Sequence, residues 1–171
     1  MKGLLILVAL VLAACSSPSP LPMFSPTDTP VGSDSCHVSG VVYCSLNTDV
    51  TQSTIDSTIC VGGWTGTIRP PVSYTNPLKF QQMVDEGFAS SISDAQSKAG
   101  SYEEDHRIPL ELGGAPSDPT NLSPEAHPGS SVKDQDENAF KASVCGGHMS
   151  LIDAQNSFIS KWLSNYPTYK Q

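Results

Sequence analysis

Apolar positions along this chain change their spacing twice. Residues 4–12 (LLILVALVL) form one apolar run. That run is too short to span a bilayer as a helix, which takes about 20 apolar residues, and it has the length of a signal-peptide core. Over 16–35 (SSPSPLPMFSPTDTPVGSDS) apolar residues thin out among Ser, Pro and Thr. Such a stretch buries too little surface to offset its ordering entropy, which predicts a tether. From residue 36 onward, short patterned segments return. The β-branched residues and internal glycine of HVSGVVYCS (37–45) predict a small hairpin. TICV (58–61) reads as a strand before Gly62-Gly63, and WTGTI (64–68) as an extended segment stopped by Arg69-Pro70-Pro71. Leu78, Met83, Val84 and Phe88 approach helical spacing, and a short helix over 94–98 follows. YEEDHRIPLEL (102–112) reads as extended up to the turn signal Gly113-Gly114, and 115–129 as a loop. Ser130 or Ser131 is positioned to cap a helix running to Val144, before Cys145-Gly146-Gly147. Ser150-Leu151-Ile152-Asp153 approximates a capping box. Beyond it Leu151, Ala154, Phe158, Ile159, Trp162 and Leu163 share one helical face, a core face.

Short strands mixed with helices place residues 36–171 in the α+β class as one domain. No internal repeat is present. The N-terminal run is followed by Leu12-Ala13-Ala14-Cys15, which resembles the lipobox of bacterial lipoproteins. The resemblance implies a signal peptide over 1–14, lipid on the Cys15 sulfur, a Ser/Pro-rich tether over 15–35, and a domain held at the cell envelope outside the cytoplasm. Membrane attachment through Cys15 would draw on roughly 0.8 kcal/mol per buried methylene.

Export changes how the cysteines are read. Apart from Cys15, the chain has Cys36, Cys44, Cys60 and Cys145, an even number suited to disulfides in an oxidising compartment. Three pairings exist; Cys36–Cys44 across the hairpin with Cys60–Cys145 joining the ends of the domain is preferred. A structural zinc site is the competing reading, but no C-x-x-C pair is present. Charge pulls the other way from any nucleic-acid role. The chain has 9 basic and 17 acidic residues, a formal charge of −8; without Lys2 it is −9. Proteins that grip nucleic acid nonspecifically are usually basic.

The chemistry is concentrated in Glu103-Glu104-Asp105-His106-Arg107-Ile108-Pro109, the Gly113-Gly114 turn and Asn121-Leu122. Hydrolysis of a phosphodiester needs a water deprotonated, a phosphate oriented and charge on the leaving oxygen neutralised. Histidine titrates near neutrality and suits the first of these roles. A divalent cation on carboxylates suits the others. The glycine pair permits a tight reversal toward Asp105 and His106, and Asn121 can brace the returning loop.

The ordered set DHRIP, GG and NL resembles the HNH endonuclease family. The wider segments TICVGGWTGTIRPP, YEEDHRIPLELGG, KDQDEN, VCGG and LIDAQNSFISKW are similar to a subgroup of small exported members, covering about residues 58–163. This implies a small ββα-metal core with flanking helices and short strands, disulfide-stapled, and one divalent metal ion: Mg2+ first, Mn2+ or Zn2+ as alternatives. No organic cofactor is implied. By position, Asp105 resembles the metal ligand, His106 the general base and Asn121 the brace. Many relatives place a further ligand in a Cys-His-x-x-Lys context early in the helix. Here Lys133-Asp134 stands there, so Asp134 from the helix or His127 from the loop is the candidate.

Arg107 is expected to contact phosphate or to pair with the Glu103–Asp105 carboxylates. Arg69, Lys79 and Lys133 are candidates for a local phosphate-binding patch, with a salt bridge or plain solvation as the ordinary alternatives. His37 and His148 lie outside the motif. Two functions are carried forward: a metal-dependent endonuclease acting on DNA (or RNA) outside the cytoplasm, and a non-catalytic surface lipoprotein using the same scaffold for metal or partner binding. Another phosphodiester as substrate is a third, weaker reading that fits the charge.

Overall fold

The computed structural model describes the backbone of residues 35–38 and 41–169 and the side chains of 45–162. The signal, Cys15 and tether readings lie outside these residues. The chain is a mixed α/β fold in which helices dominate and the strands form two separate antiparallel pairs. Strand β1 (Ser35–Val38) pairs with β2 (Val41–Ser45), with Cys36 opposite Cys44. That register suits the expected Cys36–Cys44 link, although both side chains lie outside the described set.

Between β2 and the first helix the chain turns through a short 3-10 segment, Ile55–Ser57. Residues 58–61, expected as a strand, are turns there. Thr58 Oγ1 donates to Thr54 O at 2.7 Å, so the backbone is held locally rather than by a neighbouring strand. Residues 64–68 also differ from the extended reading. They form helix α1 (Trp64–Ile68), with Trp64 packed against the core and Thr67 Oγ1 donating back to Trp64 O. Pro71 then caps α2 (Val72–Asp85), which begins six residues ahead of the apolar pattern and contains Pro77 in its second turn. Pro77 is the sixth residue of that helix, so losing its N–H costs one intrahelical bond. Helix α3 (Ile92–Lys98) follows the sequence expectation closely, capped by Ser91.

The next three elements are a hairpin and the helix behind it. β3 (Tyr102–His106) pairs residue by residue with β4 (Leu122–Ala126), from Tyr102 opposite Ala126 to His106 opposite Leu122. β4 falls inside the stretch expected to be loop. α4 (Gly129–Cys145) comes next, with Pro128 at the N-cap and no side-chain cap, so neither Ser130 nor Ser131 plays the capping role expected of it. Ser130 is instead buried with its Oγ on His127 Nδ1 at 2.8 Å. Helix α5 (Leu151–Tyr169) starts at the expected capping box, where Ser150 Oγ accepts from Asp153 N and donates to the Asp153 carboxylate.

The anticipated α5 face is the spine of the main core. Leu151, Ala154, Phe158, Ile159 and Trp162 pack with Val50, Ile55, Ile59, Ile108, Leu112 and Val144. Each large side chain so buried contributes roughly 1.5–3 kcal/mol. A second cluster of Met83, Ala89 and Ala95 seats α2 and α3 beside the hairpin. No helix among the described residues is long and apolar enough to cross a membrane.

Cys60 and Cys145 are joined, as expected, across 85 residues of sequence. This ties the turn before α1 to the end of α4. Cross-linking so large a loop restricts the unfolded chain, by about 4.5 kcal/mol in the chain-entropy picture. Cys145→Ser is therefore expected to lower stability by about 2–4 kcal/mol, read as a shift of the urea midpoint. The same urea titration in reductant should erase the difference between the two chains.

Candidate active site

The loop linking β3 to β4 is closed by one asparagine. Asn121 is fully buried; its Oδ1 accepts from Ile108 N at 2.9 Å, and its Nδ2 donates to Ile108 O at 3.1 Å and Ala115 O at 3.0 Å. Its backbone carbonyl also accepts from Arg107 N. The amide thus satisfies both sides of the turn, which is the bracing role its position implied. Gly114 makes this approach possible: a Cβ there would lie 1.9 Å from Ile108 O and 2.6 Å from Asn121 Nδ2. Gly114→Ala must push these backbone groups apart, an overpacking that costs typically 1–3 kcal/mol and sometimes more. The expected result is a melting temperature lowered by several degrees, together with loss of any activity that depends on this loop.

Holding Ala115 also holds Pro116, whose carbonyl lies 3.0 Å from His106 Nε2. A carbonyl only accepts, so Nε2 carries the proton and donates. The neutral ring then leaves its lone pair on Nδ1. Burial lowers the His106 pKa below its ordinary value, outweighing the hydrogen bond to Pro116 and the negative charge of Asp105. His106 is thus a neutral imidazole at neutral pH, with a basic nitrogen fixed in orientation by a backbone contact.

His106 lines a cleft of about 330 Å3 that also takes in Arg69, Asn76, Glu103, Glu104 and His127. Two predicted cations at this place behave differently from each other. Arg69 is exposed at the cleft edge. Lys79 is buried, its ammonium donating to Ala99 O and Tyr102 O, so it ties α2 to the start of β3 and presents little charge to solvent.

Asp105 points into a buried charge cluster. Its Oδ1 accepts from His106 N, and its Oδ2 accepts from Lys133 Nζ at 2.5 Å. The Lys133 ammonium is completely buried and also reaches His106 O, Glu137 Oε1 at 3.1 Å and Glu125 Oε1 at 3.4 Å. This corrects the reading of Lys133 as part of a phosphate-binding patch: three carboxylates surround it and no surface remains to meet a ligand. Burial opposes its charge, but Asp105, Glu125 and Glu137 together raise its pKa well above the lysine range. Burial also pushes Asp105 up, yet the lysine's charge and hydrogen bond bring it below the usual carboxylate range. For Glu125 and Glu137 burial wins over the lysine, and they are pushed up to about 7 and about 8.

Asp105, Asp134 and Glu137 each offer an oxygen within 4.8 Å of the others, a group able to hold a metal ion. The structure therefore brings Asp134 to Asp105, adds Glu137 and leaves His127 outside the group. Asp134 is exposed while the other two are buried, so the group opens on one side. Glu137 sits one turn beyond Lys133 in the KDQDEN segment; its helical i,i+4 spacing was the available signal. Glu103 flanks the group, its pKa raised by burial and by Asp105 and Asp134.

Arg107 lies away from the cleft. Its guanidinium is 3.7 Å from Glu86 and stands over the Trp162 ring, which anchors the hairpin to α2 and α5. The expected phosphate contact thus gives way to the salt-bridge alternative, though with Glu86 as partner. Glu104, part of the same acidic run and expected from the sequence to be solvated, is not. Both its carboxyl oxygens are buried without a hydrogen-bond partner, and burial pushes it up to about 8 against the pull of Lys79.

No protein-family model, curated protein or solved structure matches this chain.

Proposed function

We propose that this chain is a metal-dependent endonuclease of the HNH type that hydrolyses phosphodiester bonds of DNA, with RNA as the alternative polymer. In this reading β3, β4 and α4 form the ββα-metal core. The observation that carries it is the pairing of a neutral, backbone-oriented His106 with an oxygen-rich acidic group one residue away. His106 Nδ1 accepts the proton of the attacking water. Arg69 meets a phosphate at the cleft edge, and Asn121 keeps the Pro116 carbonyl, and so the imidazole, in place.

An all-oxygen donor set suits a hard divalent cation, Mg2+ or Mn2+, better than Zn2+. Asp105, Asp134 and Glu137 would hold it. When bound, such an ion supplies Lewis-acid polarisation of the phosphate and neutralises the leaving oxygen. The buried Lys133 charge beside these ligands opposes a second cation, which keeps the affinity modest.

The disulfide between Cys60 and Cys145 supports a domain that works in an oxidising space, and the lipobox-like Cys15 supports attachment to the envelope by lipid. The same Lys133 favours a second reading, a non-catalytic envelope lipoprotein, because the lysine already neutralises Asp105. Incubation of the purified chain with supercoiled plasmid or single-stranded DNA in Mg2+, Mn2+, Zn2+ or chelator decides between them. Nicking in Mg2+ or Mn2+ that stops in chelator is the expected result. Plasmid and single-stranded DNA both left intact under every condition, by a chain with a cooperative melt, overturn the endonuclease.

A further inference from the structure

Seven of the nine basic residues have described side chains, and five of these seven are already committed. Lys79 and Lys133 are buried. Lys98 pairs with Asp94 at 2.9 Å, Arg107 with Glu86 at 3.7 Å and Lys161 with Asp136 at 2.6 Å. Arg69 and Lys141 form no ion pair among the described residues, although Asp134 feels the charge of Arg69, and of these two only Arg69 lines the cleft. Lys2 and Lys170 lie outside the described side chains.

This distribution bears on the form of the substrate. A duplex presents one phosphate charge per about 1.7 Å of axis, and proteins that track it neutralise roughly 6–10 of them. Among its described residues, this chain of net charge −8 offers no such stripe, only one exposed cation outside an ion pair at its cleft. Its long-range field repels the duplex on either side of the bound phosphate. The cleft itself, at about 330 Å3, is at the small end of ligand pockets, roughly 300–1,000 Å3. Its α2 wall carries Thr75 and Asn76, whose side chains hydrogen-bond to no described residue, and Tyr102, Glu103 and Glu104 lie on the hairpin side.

Resting on the nuclease reading above, we infer that the cleft takes a single-stranded nucleic-acid segment, one nucleotide at a time. Arg69 grips one phosphate, and the α2 wall at Thr75 and Asn76 meets the base or sugar. An unpaired strand brings half the charge density of a duplex and has bases free to enter a pocket. Arg69 is well suited to that grip. Its fork-shaped guanidinium matches two phosphate oxygens, and Pro70-Pro71 stiffen the backbone beside it.

The test is binding, separate from cleavage. A His106→Ala chain, which retains the cleft's cation and wall, is titrated in Mg2+ against a fluorescent ten-nucleotide single strand and its duplex, over a series of salt concentrations. Single-strand affinity at least tenfold above duplex is expected, with a log–log salt slope near −0.7, the value of about one phosphate contact. Adding Arg69→Ala should weaken it at least tenfold, and Asn76→Ala should weaken it without changing the salt slope. Tighter duplex binding, or a slope steeper than about −3, overturns the inference and leaves the nuclease untouched. Failure to bind either form also overturns it. If the parent chain then still cuts plasmid or single-stranded DNA, the nuclease reading survives alone; if it cuts neither, both fall.

Discussion

A Lys133→Met chain is expected to lose about 3–5 kcal/mol of stability, the range for leaving buried charges without their partner. Methionine fills most of the lysine's volume, so the loss is electrostatic rather than a cavity. It strands Asp105, Glu125 and Glu137 together in the interior. Thermal melts should show a midpoint at least about 10 °C below the parent.

The pH dependence carries the sign. Glu125 and Glu137 have folded pKa values of about 7 and about 8, above their unfolded value. The folded state therefore holds their protons more tightly, and stability falls as pH rises from about 4.5 through 8. Asp105 runs the other way: its lowered pKa adds stability above the unfolded value, which is lost as pH falls through the folded one. Lys133, raised, contributes fully below about 10.4, its ordinary value. The difference between parent and variant should thus be largest near pH 8 and shrink toward pH 5, where the glutamates are protonated in either chain. Urea midpoints in chelator measure it. A constant difference across that range would mean that the cost is packing and not charge.

His106→Ala is expected to cut the turnover of plasmid by 10²- to 10⁴-fold, the usual contribution of a positioned general base. The loss should lie in kcat, with little change in KM, since the imidazole is assigned a proton and not a grip on the strand. The parent's kcat–pH profile supplies a readout that a merely structural histidine would not move. Because burial lowers the His106 pKa, activity should rise through a value below the ordinary 6.5 and be flat at neutrality. An inflection above 6.5 would put the proton on another group. Asn121→Ala should follow His106→Ala in direction, because releasing Ala115 and Pro116 frees the ring from its carbonyl.

Some of this was legible along the chain, and the reasons differ by residue. Asp105, His106 and Asn121 could be picked out because they belong to one short ordered motif, and the fold gathers them around the loop between β3 and β4. The α5 face was clear because six apolar positions repeat at helical spacing over three turns. β4 was not. Leu122-Ser123-Pro124-Glu125-Ala126 carries a proline and a glutamate and has no alternation, since every one of its residues is buried. Only the facing strand β3 and helix α4 make it a strand. Residues 64–68 misled in the opposite direction. Two threonines and an isoleucine favour a strand, but Trp64's place in the core and Thr65's hydrogen bond to Glu111 set a helical turn. Lys133 read as a surface cation because its three acidic neighbours sit 28, 8 and 4 residues away. Only the last of these distances is visible as a helical spacing.

The Cys60–Cys145 bond also decides what a single proteolytic cut does to the chain. Its ring encloses α1 to α4, and with them the cleft, the Asn121 brace and the acidic group. A single cut anywhere in that ring opens a loop but releases no fragment. The two new ends stay covalently joined, so refolding remains an intramolecular event at high effective concentration. A chain nicked at the exposed Ser117, for example, stays one molecule until the disulfide is reduced. The cross-link thus allows the site to survive damage to its own loops, a tolerance separate from any effect on the uncut fold.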